Sequence, residues 1–253
     1  MKKIISLALA AVMCAGIASC GTKTEVDNTE KTYIIYSDNA FAPFEYLDTA
    51  SGEYIGVDMD ILAAIAEDQG FKYEVKNEGF DASMGAVQSG QADGMIAGMT
   101  INEERKLTFD FSDGYFEDGQ ILVVQKGSDI KAEADLAGKS VATKIGTMGT
   151  DYAMSIAGTV GFDTVNYEDS PTMYTAIENG TNVACFEDRS VVEWAIKQEN
   201  LNLETVGEVI NPKEYGFAVK KGENAELIEM FNAGLKNIKD SGEYDEILAK
   251  YGY

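Results

Sequence analysis

Histidine is missing from all 253 residues. Metal sites built on imidazole, and any catalysis that needs a histidine base, are therefore excluded. Cysteine is scarce, with only Cys14, Cys20 and Cys185. Cys14 falls inside an N-terminal apolar run and Cys20 directly after it, so Cys185 alone is left in the body of the chain and no disulfide is expected there. It sits in the apolar stretch Val183-Ala184-Cys185-Phe186, the setting of an inert buried thiol rather than of a nucleophile. Positive charge is short too: 20 Lys and Arg stand against 43 Asp and Glu, a net charge of -23. Such a chain repels phosphate backbones, and nucleic acid is not expected as a partner. No apolar run is long enough to span a membrane, since Ile4 to about Val12 falls well below the ~20 residues a span needs.

That short run is better read as an address. Lys2 and Lys3 precede it and small residues follow as far as Ser19, the layout of an export signal. It ends in Ile17-Ala18-Ser19-Cys20-Gly21, which resembles the bacterial lipobox and implies cleavage before Cys20 and a diacylglycerol on its thiol. A plain secretion signal with an incidental cysteine is the alternative. Residues 1–19 are thus expected to be a lipoprotein signal peptide, and residues 20–31 the lipidated cysteine and a polar tether. The protein is expected on the extracytoplasmic face of the cell membrane, held by its lipid, with folded structure from near Thr32.

Beyond the tether, strand and helix signals alternate. Tyr33 to Tyr36 reads as a strand, Phe44 to Ile55 as a hairpin, and Met59 to Asp68 as a helix with Ile61, Leu62, Ile65 and Ala66 on one side, Asp58 and Asp60 favouring its N-terminal dipole and Gly70 as its stop. Strands at Lys72 to Val75, Gly94 to Ala97 and Ile121 to Gln125 are separated by a helix at Ala82 to Gln88 and a helical turn opening at Asn102. A second set follows, with strands at Ser140 to Thr143, Thr164 to Tyr167 and Val183 to Phe186 and helices at Thr150 to Ala157 and Pro171 to Asn179. A strand at Tyr215 to Val219 and helices at Ala225 to Ile238 and Tyr244 to Tyr251 close the chain. The alternation predicts α/β architecture in two similar lobes. A faint echo at an offset of 90 residues would set Gly98 and Asp188 at equivalent strand ends, where open α/β sheets bind ligands.

Four segments carry a family resemblance: Ser37-Asp38-Asn39-Ala40-Phe41-Ala42-Pro43-Phe44-Glu45, Gly56-Val57-Asp58-Met59-Asp60-Ile61-Leu62, Ala97-Gly98-Met99-Thr100-Ile101-Asn102-Glu103-Glu104-Arg105 and Asp110-Phe111-Ser112-Asp113-Gly114-Tyr115. In this order and spacing the chain resembles the amino-acid-binding branch of the bacterial extracellular solute-binding proteins, over nearly all of residues 32–253. The resemblance implies an α/β type II periplasmic-binding-protein fold, two Rossmann-like lobes joined by two crossover strands with the ligand between them. The crossovers should fall near Tyr115 to Gly119 and near Asn211 to Tyr215. Residues 32–116 plus 214–253 would form lobe 1, and residues 117–213 lobe 2.

An amino-acid zwitterion needs a cation for its carboxylate and an anion for its ammonium, both shielded from water. Arg105 is the expected clamp, in the first turn of a helix whose amides would add positive dipole; an exposed salt bridge with Glu103 or Asp110 is the competing reading. The resemblance implies that Thr100 meets the carboxylate, the Gly98 carbonyl the ammonium, Asp188 the ammonium from the second lobe, and Asp38 a polar group from the first. For Asp188 a helix N-cap before Val191 competes. Phe41 and Phe80 resemble the aromatic walls around the ligand stem, with core packing as rival. Lys144-Ile145-Gly146-Thr147-Met148-Gly149-Thr150 resembles the turn whose amides meet the carboxylate, so Lys144, Thr147, Met148 and Gly149 join the expected site. Met148 departs from the family, which often places a second hydroxyl there. Glu187 would either neutralise Lys144 or select a ligand donor.

The implied function is that of the extracytoplasmic binding component of an ABC importer, a monomer handing a free polar amino acid to permease subunits, with no catalytic residue, metal or cofactor. A cyclohexadienyl-dehydratase-like enzyme and a ligand sensor or adhesin on the same scaffold are the alternatives.

Overall fold

The computed structural model describes residues 31–253; the segment expected to be an export signal, Cys20 and most of the expected tether lie outside them. Strand β1 (Thr32–Asp38) turns Tyr33 and Ile35 into the core. A small meander follows, β2 (Ala40–Phe41), β3 (Glu45–Leu47) and β4 (Tyr54–Ile55), and its turn is held by Asp48, which accepts the Ala50 and Ser51 amides. Helix α1 (Val57–Gln69) buries Ile61, Leu62, Ile65 and Ala66, four residues of one stripe, and stops at Gly70 in the left-handed region. Next come β5 (Lys72–Glu78), α2 (Phe80–Ser89), β6 (Gly94–Met95) and β7 (Phe109–Phe111).

The chain then leaves for a second sheet. Its elements are β8 (Phe116–Gln125), β9 (Ser140–Lys144), α3 (Met148–Val160), β10 (Asp163–Tyr167), α4 (Ser170–Glu178), β11 (Ala184–Asp188), α5 (Arg189–Gln198) and β12 (Leu203–Tyr215). It returns for β13 (Ala218–Lys220), α6 (Ala225–Ser241) and α7 (Glu243–Tyr251). The strand orders are β5-β1-β6-β13-β7 in the first sheet and β10-β9-β11-β8-β12 in the second. In each sheet, helices between parallel strands cover the faces, as strand–helix alternation requires. The lobes are joined where β8 and β12 run antiparallel, with Phe116 opposite Tyr215 and Asp118 opposite Lys213. Phe44 packs edge-on against both Phe116 and Tyr215 at this junction, with ring centroids 5.0 and 5.2 Å away.

Three expectations are corrected. The strand expected over Tyr215 to Val219 is broken: Tyr215 ends β12, and β13 begins only at Ala218. Gly216 lies between them, so tight against Ile101 and Phe111 that a Cβ would come within 2.8 Å of a side-chain atom. The helical turn after Asn102 is a single 3-10 turn, Arg105–Leu107, too short to carry a helix dipole. Finally, β7 was not anticipated as an element, α5 was expected only through the N-cap before Val191, and β12 only at its crossover end near Asn211 to Tyr215. Strand β12 is largely solvated and its pairing shifts register between Val206 and Ile210 and between Ile210 and Lys213, which erases any clean alternation.

Candidate functional site

Where the two lobes face each other, a narrow, nearly closed cleft is lined by Phe41, Phe80, Ala97, Gly98, Thr100 and Arg105 on one side and Lys144, Thr147, Met148 and Asp188 on the other. Asp188 ends β11, whereas Gly98 lies in the loop beyond β6, which stops at Met95 rather than at the expected Ala97. Asp38 and Gly149, also expected at the site, stand just behind this lining.

Arg105 is only 9% exposed. Its guanidinium donates to the carbonyls of Thr100 (2.8 Å) and, across the cleft, Gly146 (2.9 Å), and lies 5.3 Å from the centre of the Phe80 ring. Burial lowers its pKa, against the pull of Asp151, Asp188 and Glu104. The competing surface bridges do not form: Glu103 pairs with Lys106 at 2.8 Å and Asp110 with Lys221 at 2.6 Å. Instead of a helix, the side-chain oxygen of Asn102 organises the turn by accepting the Arg105 amide at 2.7 Å. A guanidinium has five N–H donors and the two carbonyls take part of that capacity, leaving a fork for a carboxylate.

Opposite it, α3 begins at the cavity. Thr147 is its N-cap; the hydroxyl accepts from the Thr150 amide (3.3 Å) and donates to the Lys144 carbonyl (2.8 Å). The opening amides of a helix have no intrahelical acceptor, so those of Met148 and Gly149 are donors for an anion. Gly149 must be glycine, because a Cβ there would come within 2.3 Å of the Phe186 carbonyl oxygen. Met148 sulfur sits 3.1 Å from the side-chain nitrogen of Asn102, closing the cavity rather than adding a hydroxyl to it.

The acid facing Arg105 across the cleft is Asp188. Its carboxylate accepts from the Gln120 side-chain amide at 2.5 Å and makes no capping bond to α5. That cap comes from Asp118, which accepts from both the amide (3.0 Å) and the hydroxyl of Ser190. The N-cap reading of Asp188 thus loses its side chain to another role. Burial, reinforced by Asp118 and Glu187, raises its pKa well above the ordinary carboxylate range. Glu187 accepts from Ser170 (2.7 Å) and Tyr174 (3.2 Å). Lys144 pairs instead with Asp38, Nζ to Oδ2 at 2.5 Å, and lies 4.6 Å from the centre of the Phe41 ring. Burial depresses the lysine pKa, but Asp38 and Glu187 outweigh it and the net direction is up.

Phe41 and Phe80 both belong to hydrophobic clusters and line the cavity, so the wall and core readings describe the same rings. Gly98 has φ +52°, and a Cβ there would come within 2.5 Å of the Phe41 ring. Its amide donates to Asp58 Oδ2 at 2.8 Å, and the Tyr115 hydroxyl donates to the same oxygen at 2.9 Å. Sequence reasoning gave Asp58 to the dipole of α1 and no role to Glu45. The signal for their placement is weak: each acid directly follows an apolar residue, Phe44 or Val57, inside a landmark segment.

The model of the bacterial extracellular solute-binding proteins, family 3, matches residues 33–253. The glutamine-binding protein GlnH of an ABC transporter of Bacillus subtilis (strain 168) is 34% identical over 273 residues, 99% of this chain and 97% of that one. An ancestral arginine-binding protein bound to arginine is 38% identical, with TM-score 0.82 over 88% of this chain and 98% of that one. Substrate-binding domain 2 of Lactococcus lactis GlnP, in its open conformation, is 42% identical, with TM-score 0.60 over 87% of this chain and 94% of that one.

Proposed function

The chain belongs to the bacterial extracellular solute-binding proteins, family 3, and from that premise we propose that its cavity captures one free, polar, uncharged amino acid for an ABC importer. The observation that carries this reading is that Arg105 and Asp188, a cation and an acid from opposite lobes, line one cleft. The α-carboxylate would meet the Arg105 fork, Thr100 and the opening amides of α3. The ammonium would meet Asp188 and the Gly98 carbonyl. Phe41 and Phe80 would flank the stem.

Charge balance argues for an uncharged side chain. Lys144 and Asp38 satisfy each other, and Glu187 already accepts from Ser170 and Tyr174. A cationic side chain would find Asp38 already taken, and an acidic one would have to break the Lys144–Asp38 pair. The better superposition on the arginine-bound ancestral protein than on the open GlnP domain, despite lower identity, supports reading the present arrangement of lobes as the closed one.

On this reading residues 32–116 plus 214–253 move against residues 117–213 about β8 and β12, and the closed form is what permease subunits recognise. The protein acts as a monomer anchored through Cys20, and it binds without catalysing. A thermal-shift screen of the common amino acids tests this: a saturating ligand raises the midpoint by mass action, and Arg105→Ala removes the rise. A midpoint indifferent to every amino acid contradicts the reading.

A further inference from the structure

Beneath Gly98, away from the cavity, lies an arrangement of acids that binding alone does not explain. Glu45, on β3, is fully buried, and among the described residues neither carboxylate oxygen has a hydrogen-bond donor; Asp58, in the first turn of α1, is fully buried with Oδ1 equally unpartnered there. The backbone brings them together, since the Asp58 amide donates to the carbonyl of Phe44 at 3.0 Å, and the two side chains stand within hydrogen-bonding reach. Two buried carboxylates this close, with no cation between them, cannot both be ionised. The neighbouring charged and titratable groups are Tyr115, Tyr244, Asp38 and Lys144. The only cation among them, Lys144, is engaged by Asp38.

We propose that Glu45 is a neutral acid whose O–H donates to Asp58 Oδ1, and that this shared proton makes the pair the positioning element that holds Gly98 at the ligand cavity. One proton gives the orphaned Glu45 donor an acceptor and satisfies Asp58 Oδ1. It also leaves Asp58 with a single negative charge on the oxygen that accepts from Gly98 and Tyr115, so the loop is gripped by a charge-assisted bond. The directions of the two acidities agree: burial, then Asp58, holds Glu45 well above the ordinary range, and burial pushes Asp58 up to about 6. Gly98 is where such a grip matters, because its left-handed backbone leaves no side chain to anchor it. The effect on ligand rests on the proposed use of the cavity; the proton does not.

Both parts are testable on the ligand-free full chain. The wild-type-minus-Glu45→Gln infrared difference spectrum at neutral pH should contain a carboxylic-acid carbonyl band, distinct from the Asp188 band common to both proteins, since the amide donates in place of the acid. The Gly98 amide resonance should shift as rising pH strips the pair of its proton in the wild type, stay fixed in Glu45→Gln, and be displaced at every pH in Glu45→Leu. A difference spectrum with no carboxylic-acid band, or a Gly98 resonance with the same pH profile in wild type and Glu45→Gln, overturns the proposal. Should the variants not fold, the side-chain carboxyl carbon of Glu45 in the wild type decides: a neutral-acid shift at neutral pH supports the proton and an ionised shift refutes it. Failure of every amino acid to bind, with these signatures intact, would strike the proposed function and leave the proton standing.

Discussion

Lys144 of β9 and Asp38 of β1 meet across the cleft, Nζ to Oδ2 at 2.5 Å, with side chains 2% and 1% exposed. Each comes from a different lobe, so the pair exists only while the lobes are together. A buried ion pair adds little net stability, because desolvating two charges offsets most of their attraction, yet removing one partner strands the other.

Lys144→Met should therefore act on closure. Stranding Asp38 costs about 3 kcal/mol in the closed form, roughly a hundredfold in ligand affinity, with little change in the melting of the ligand-free protein, where the lobes can part and wet the carboxylate. Calorimetric titration paired with thermal unfolding separates the two effects.

Arg105 should not be replaceable by lysine. Its guanidinium bridges the Thr100 and Gly146 carbonyls while presenting a planar fork to the cavity, and an ammonium cannot do both. Arg105→Lys is expected to lose at least about 2 kcal/mol of binding, roughly thirtyfold, and Arg105→Ala more. Dissociation constants for the two variants check the order.

Binding should release a proton. In the empty site, burial together with Asp118 and Glu187 holds the Asp188 carboxyl well above its usual range, and an arriving ammonium favours the ionised form. The ligand thus binds best to the deprotonated acid, so affinity rises with pH until the empty-site pKa is passed and levels off above it. Binding heats in buffers of different ionisation enthalpy should show the release, and Asp188→Asn should abolish it while weakening binding.

Much of the fold was legible because the strongest signals are local. The apolar stripe of Ile61, Leu62, Ile65 and Ala66 and the stop at Gly70 define α1 without help from elsewhere. By contrast β12 carries Gly207 at φ +83° and Asn211 at φ +49°, and only its pairing with β8 makes it a strand. For the site, residue type pointed to chemistry but not to partners. Lys144 was read as reaching for ligand, and its engagement by Asp38, 106 positions away, depends on two lobes closing. Asp58 was assigned to a helix dipole, though Gly98, 40 positions on, is what it holds.

Gly98→Ala combines two faults, a left-handed φ of +52° and a Cβ within 2.5 Å of the Phe41 ring. Strain and overpacking together should cost about 2–4 kcal/mol, read as a lower midpoint in denaturant unfolding with unchanged slope.

The account turns on a zwitterion held between Arg105 and Asp188. Isothermal titration of the protein with L-glutamine and L-arginine, repeated on Arg105→Ala, tests it most directly. The account predicts that glutamine binds at one site per chain, that arginine binds far more weakly or not at all, and that the variant loses glutamine. Tight arginine binding would contradict the charge balance drawn from Lys144 and Asp38, and undiminished glutamine binding by Arg105→Ala would contradict the clamp itself.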